Sequence, residues 1–191
     1  IYLSLFKKPS GKNLFLGVQD IFWEPSGPYT GEVNAKMILE LDASFAIVGH
    51  SERRALGETD AVASKKVLAA VRGGLRAILC IGERERDFSG DYFEFLKNQI
   101  KNSLAGVRPN DLQQIIIAYE PVWAIGKSFK DAMKPSDVHE MSLFVKKVLS
   151  DMFGKDSALR VPILYGGSVN FENAGPILTE GNVDGLLVGR Q

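Results

Sequence analysis

The chain has 191 residues, 45% of them hydrophobic, enough for a single domain over 1–191 to bury most of the apolar surface its unfolded form exposes. Its 23 basic and 23 acidic residues cancel, which excludes a global field that would gather nucleic acid or an anionic membrane, and leaves any anion to local groups. No apolar run approaches the roughly 20 residues that cross a bilayer and neither end reads as a leader, while the one cysteine, Cys80, has no partner for an internal disulfide; a soluble, cytoplasmic protein is expected.

The first predicted strand is LFLGVQD (14–20), ending in Gln19-Asp20, and the loop WEPSGPYTGE (23–32) follows it. FAIVGH (45–50) is the second strand. Its last residue, His50, precedes Ser51-Glu52-Arg53-Arg54, which reads as a helix start whose N–H groups and positive dipole end disfavour protonation of the ring. Helical spacing predicts a helix over 61–71, opened by Asp60. RAILCIG (76–82) then leads to Glu83, and the run 83–87, Glu-Arg-Glu-Arg-Asp, reads as a solvated loop. After a helix over 92–104 comes QIIIAYEP (114–121), a greasy strand that ends in Glu120 and Pro121. Pro135-Ser136-Asp137 opens a helix over 137–153 that carries His139, expected at the surface or an interface. VPILYGG (161–167), a helix over 172–178 and DGLLVG (184–189) complete the series.

These strands lack the one-in, one-out alternation of a half-wet sheet and are rich in branched residues, as parallel strands buried on both faces are. Strand and helix in alternation imply right-handed crossovers in an α/β fold. The six strands fit either an open doubly wound sheet or part of a closed barrel. Polar residues favour the barrel: Gln19-Asp20, His50-Ser51-Glu52, Gly82-Glu83, Glu120, Gly166-Gly167-Ser168 and Gly189-Arg190 all sit at C-terminal strand ends, which a barrel gathers on one face.

Singly these are weak signals, since a carboxylate ending a strand is more often a cap or an ion pair, a lone histidine is usually structural, and Gly-Gly is usually a turn. Jointly they are not. AIVGHSERR (46–54), CIGE (80–83), AYEPVWAIG (118–126), YGGSV (165–169) and LLVG (186–189), in this order, resemble the triosephosphate isomerases over essentially the whole chain. The resemblance implies a (β/α)8 TIM barrel, incomplete here, with the family's third to eighth strands. It also implies a homodimer through the 23–32 loop, which in the family reaches the partner's active site.

The implied reaction interconverts dihydroxyacetone phosphate and glyceraldehyde 3-phosphate through an enediolate, a step of glycolysis and gluconeogenesis, without metal or organic cofactor. By resemblance Glu120 is the base that moves a carbon-bound proton to the neighbouring carbon, and His50 is the electrophile that polarises the carbonyl. That His50 works as neutral imidazole is likewise taken from the family. Glu52 and Glu83 have supporting places, Glu83 either pairing with the lid near Trp123 or capping a helix. The lid comprises Pro121, Val122, Trp123, Ala124, Ile125 and Gly126, stiff at its start and permissive at its end. A carboxylate under such an apolar cover loses solvation and gains proton affinity.

Gly167 and Ser168 after one strand, and Gly189 and Arg190 after the last, offer main-chain N–H groups where barrels commonly bind phosphate. Gly126 adds its own N–H by resemblance. Binding the remote phosphate then drives closure over the reacting carbons. Cys80, on a buried strand, reads as core packing.

The sequence departs from the family in three places. IYLSLFKKPS (1–10) resembles the helix after the family's second strand, so the Asn-x-Lys segment that meets substrate has no counterpart here, and the sequence stops just after the eighth strand. A piece of a longer protein, unstable or inactive alone, is the expectation. Lys127-Ser128-Phe129-Lys130 replaces the usual small residue, glycine and lysine after AIG, and Arg190 stands where a second glycine is usual. Two rival readings remain open at this level: a barrel acting on a larger sugar phosphate, against which the short lid argues, and a non-catalytic assembly subunit with idle motifs.

Overall fold

The computed structural model describes residues 13–87, 89–125 and 133–189. Strands β1 (Leu16–Val18), β2 (Ala43–Val48), β3 (Arg76–Ile81), β4 (Ile115–Tyr119), β5 (Ile163–Tyr165) and β6 (Gly185–Leu186) form one six-stranded sheet in chain order, each pair parallel. This order decides between the two architectures left open by the sequence. A doubly wound sheet reverses its strand order at a switch point, whereas this one never does, as in an incomplete TIM barrel.

Burial explains why the apolar runs are strands. All five residues of β4 are buried, and the Ile115-Ile116-Ile117 run pairs with Ala77, Ile78 and Leu79 of β3. Each such side chain contributes roughly 1.5–3 kcal/mol when fully taken from water. The outer layer is helical: α1 (Ala35–Leu39), α2 (Ser51–Ala55), α3 (Asp60–Gly73), α4 (Asp91–Ser103), α5 (Pro135–Phe153), α6 (Lys155–Leu159) and α7 (Ala174–Thr179). Along α3 the buried Ala63, Val67, Ala70 and Val71 repeat at helical spacing and turn one face to the sheet. Thr59 accepts a hydrogen bond from the Val62 N–H to start this helix, and Gly74 ends it with φ 91°. On α5, Val138, Met141, Val145 and Leu149 do the same work, with Pro135 in its first turn.

The predicted helices therefore exist with ends shifted by at most two residues, and α7 lies at Ala174–Thr179 where 172–178 was expected. Helices α1 and α6, five residues each, were not predicted. They are too short to show a period, and α1 is set by its cap, in which Asn34 accepts from the Met37 N–H. His139 lies on α5, half-buried, and its Nδ1 is shielded without a hydrogen-bond partner among the described residues. The helix expected over 1–10 lies outside the described residues.

Among the described residues no helix is long and apolar enough to cross a membrane, and no cluster of three His, Cys, Asp or Glu is arranged to hold a metal ion.

Candidate active site

His50 ends the segment after β2 and caps α2: its Nδ1 accepts from the Glu52 N–H at 3.2 Å. Because Nδ1 is an acceptor, the ring's proton sits on Nε2. That nitrogen meets Glu120 Oε1 at 3.1 Å, and the other carboxylate oxygen of Glu120 accepts from the Ser51 N–H at 3.4 Å. The two residues follow the C-terminal ends of β2 and β4, with β3 between those strands. Strands two apart are about 9.6 Å from each other, so the contact needs the intervening strand to stay low, and Gly82 at the end of β3 does so. A β-carbon there would overlap the Glu120 carbonyl oxygen. On the far side Gly166 lies against the Glu120 arm, where a β-carbon would come within 2.7 Å of Cγ.

Glu120 is 3% exposed and His50 half-exposed at the rim. The sequence reading expected the α2 dipole to hold the ring's proton affinity down; the structure gives the opposite net direction. The hydrogen bond to Glu120 raises the His50 pKa above its ordinary value, against burial, with smaller help from the charges of Glu120 and Glu52. A carboxylate in direct contact with the ring outweighs the burial that opposes it. Cys80, wholly buried behind this pair, has its thiol pushed up by burial first and by Glu120 second, which leaves it inert packing.

Glu83 belongs to a second cluster and caps no helix. Its carboxylate is 1% exposed and accepts from Tyr119 Oη at 2.8 Å, Trp123 Nε1 at 2.8 Å and Arg86 Nε at 3.1 Å. The Glu83 carbonyl accepts from the Val122 N–H at 2.9 Å. The expected solvated loop at 83–87 is thus wrong at both Glu83 and Arg86, because Tyr119 and Trp123 donate to the one and the rings of Tyr92 and Trp123 lie over the other. Burial, with Glu83 beside it, puts the Tyr119 hydroxyl well above its usual range, and burial pushes Tyr165 up to about 12.

The start of the expected lid is a 3-10 turn over Val122–Ala124, with Pro121 before it and Ile125, 42% exposed, after it. Ser168 ties the glycine-rich turn to this segment: its hydroxyl donates to the Ala124 carbonyl at 2.7 Å. Gly167 is half-buried beside it and Gly189 is exposed after β6. Glu52 points to solvent, its carboxylate 4.0 Å from His50 Nδ1. Gly126 and Arg190, and the Lys127-Ser128-Phe129-Lys130 departure, lie outside the described residues.

Sequence reasoning missed the groups that hold His50 from behind. Arg54 donates from Nε to the Gly49 carbonyl at 2.7 Å and from Nη1 to Asp60 at 2.5 Å. Glu58 accepts from the Gly49 N–H at 2.9 Å and from Lys66 at 2.5 Å, and Lys66 also donates to Asp20 at 2.6 and 2.8 Å. Asp20 had been visible as a polar strand end; a lysine inside a helical pattern gave no such signal.

A parallel barrel that turns an imidazole and a carboxylate toward each other at its C-terminal strand ends has the makings of an enzyme that moves protons. A family model for triosephosphate isomerase matches residues 1–191. The triosephosphate isomerase of Thermoanaerobacter pseudethanolicus is 43% identical over 182 residues, which cover 94% of this chain and 72% of that protein. Those of Citrifermentans bemidjiense and Moorella thermoacetica are 43% and 42% identical, again over 94% of this chain and 72% of theirs. The chain belongs to the triosephosphate isomerase family.

Proposed function

We propose that Glu120 and His50 carry out the family's reaction in this chain, the interconversion of dihydroxyacetone phosphate and glyceraldehyde 3-phosphate. The observation that supports these roles is the 3.1 Å contact between Glu120 and the protonated nitrogen of His50. Two groups in contact leave no room for a substrate between them, so Glu120 turns from His50 toward the substrate carbon as it binds. The carboxylate then takes the C1 proton of dihydroxyacetone phosphate, and the electron pair left on carbon moves onto the C2 oxygen. His50 donates its Nε2 proton to that oxygen and takes the C1 hydroxyl proton in its place, so that as Glu120 returns its proton to C2 the C1 oxygen becomes the new carbonyl and the ring is neutral again. Once Glu120 has turned away, the charge that favoured an imidazolium is gone, while the Glu52 N–H still blocks Nδ1. The ring is then neutral when it acts.

In this reading Gly167, Ser168 and Gly189, with Gly126 and Arg190, receive the phosphate, and Pro121 to Gly126 cover it. Glu83 anchors that cover through Trp123, and Glu52 tunes His50. No metal or cofactor takes part. The protein works in the cytoplasm, and the 23–32 loop pairs two copies; exposed Tyr29 on this loop, Val33 just after it and Met37 on α1 supply the apolar contact. Triose phosphate isomerisation by a parent in which the segment bearing Asn-x-Lys is restored, and by His50→Gln and Glu120→Asp in that same protein, tests the assignment. Shortening the base by one methylene should cost on the order of a hundredfold in kcat, and equal rates in all three would remove both residues from the chemistry. Sedimentation of Tyr29→Asp tests the dimer, since a charge at the contact should yield monomers.

A further inference from the structure

We propose that Arg86 is a positioning residue for this reaction: its guanidinium, clamped between the rings of Tyr92 and Trp123, fixes the turn Val122–Ala124 and through it the aim of Glu120. The inference rests on Glu120 being the base. Arg86 belongs to a run of charges, yet its side chain is only 21% exposed. Its guanidinium carbon lies 5.0 Å from the Tyr92 ring centroid and 5.4 Å from that of Trp123. Nε donates to Glu83 at 3.1 Å and Nη2 to Tyr119 Oη at 3.2 Å.

Tyr119 immediately precedes Glu120, and Trp123 follows it by three residues, so one side chain grips the backbone on both sides of the base. The main chain is also held by the Gly166 N–H on the Tyr119 carbonyl at 2.8 Å, the Ala124 N–H on the Pro121 carbonyl at 2.8 Å and the Ser168 hydroxyl on the Ala124 carbonyl at 2.7 Å, none of which is made by the Trp123 side chain. Glu120 N–H donates to Ile81 and Val122 N–H to Glu83, while Pro121 between them has no N–H to give. Glu83 gathers Tyr119, Trp123 and Arg86 on one buried carboxylate, and among the described residues Arg86 is the cation paired with it. Taking that cation away leaves a buried anion unpaired. The anion would draw in water, which competes with the Trp123 indole. Lysine is no substitute, because only a planar guanidinium can stack on two rings while its edge donates in two directions. Arg86 reaches neither His50 nor the 166–168 turn, so its loss should fall on turnover and spare binding.

The test uses Arg86→Lys, Arg86→Met and the pair Glu83→Gln with Arg86→Met, each in a Trp23→Phe background so that Trp123 is the one remaining indole of the two. Both single variants should lower kcat by about ten- to a hundredfold, as a displaced catalytic group does, with KM little changed. Trp123 emission should move to the red and become more open to acrylamide. The paired variant, having no unpaired charge, should regain the thermal midpoint lost in Arg86→Met but not its kcat. A kcat that recovers along with the midpoint, or a Trp123 signal and kcat both unchanged in Arg86→Lys, overturns the inference. Glu120→Gln run alongside keeps the two claims apart: if it retains activity, the reading of the base fails, while Trp123 emission still reports whether Arg86 holds the turn.

Discussion

Gly82 and Glu120 approach so closely that no side chain fits between them, and the Gly82 N–H is meanwhile held by buried Gln99 at 2.8 Å. The end of β3 can therefore move neither up nor back. Gly82→Ala should shift the end of β4, cost about 1–3 kcal/mol as overpacking does, and lower kcat; urea melts and the isomerase assay read both. Gly175→Ala is the control. Its β-carbon would meet nothing within 4 Å, so it should leave stability and rate as they are.

Gly166 tests the same carboxylate from the other side. There a β-carbon would press on the Glu120 side chain, at Cγ, and leave the backbone alone. A side chain can rotate away where a backbone cannot. Gly166→Ala should keep its urea midpoint close to the parent's while kcat falls, and a matched loss of midpoint and rate would contradict this.

The barrel was legible because its evidence is periodic. Five buried residues in β4 and the repeat Ala63, Val67, Ala70 along α3 announce themselves as strand and helix. His50, Glu83 and Glu120 were legible because each stands next to a recognisable strand end. Arg86, Arg54 and Lys66 were not, since each also joins a partner far along the chain, Tyr119, the Cys80 carbonyl and Asp20, 33, 26 and 46 residues away. A charge in a loop or on a helix looks the same in sequence whether it meets water or a distant carboxylate. The direction of the His50 shift failed for that reason too: the local dipole could be read from Ser51-Glu52, but the contact with Glu120, 70 residues on, could not.

That contact makes a pH-dependent prediction. The His50 pKa in the folded protein is raised above 6.5, chiefly by Glu120. A raised histidine contributes stability that is complete below its unfolded pKa and is lost as pH rises through the folded one. The stability difference between the parent and Glu120→Gln should therefore be largest below pH 6.5 and shrink as pH climbs past that value. Proton NMR of the imidazole should show the His50 pKa falling in Glu120→Gln. An unchanged titration would mean that the two side chains are not in contact in solution.

Lys66 and Glu58 are each 3% exposed and meet at 2.5 Å, with Asp20 completing the lysine's shell, and Glu58 also holds the Gly49 N–H next to His50. Among the described residues, removing Lys66 strands the buried Glu58 with only the half-exposed Arg53 as cation, whose Nε lies 3.7 Å from it and 3.1 Å from Asp20, at a cost approaching about 3–5 kcal/mol. Lys66→Met should lose that much in urea unfolding, and Glu58→Gln added to it should win part of it back, because the stranded charge is gone. Lys147 and Asp151, also 2.5 Å apart but 71% and 59% exposed, make the comparison. Water and salt screen that pair, and Lys147→Ala should cost no more than about 1 kcal/mol. If the two lysines cost the same, the network behind His50 does not hold the site, and the Gly49 peptide is positioned by Arg54 alone.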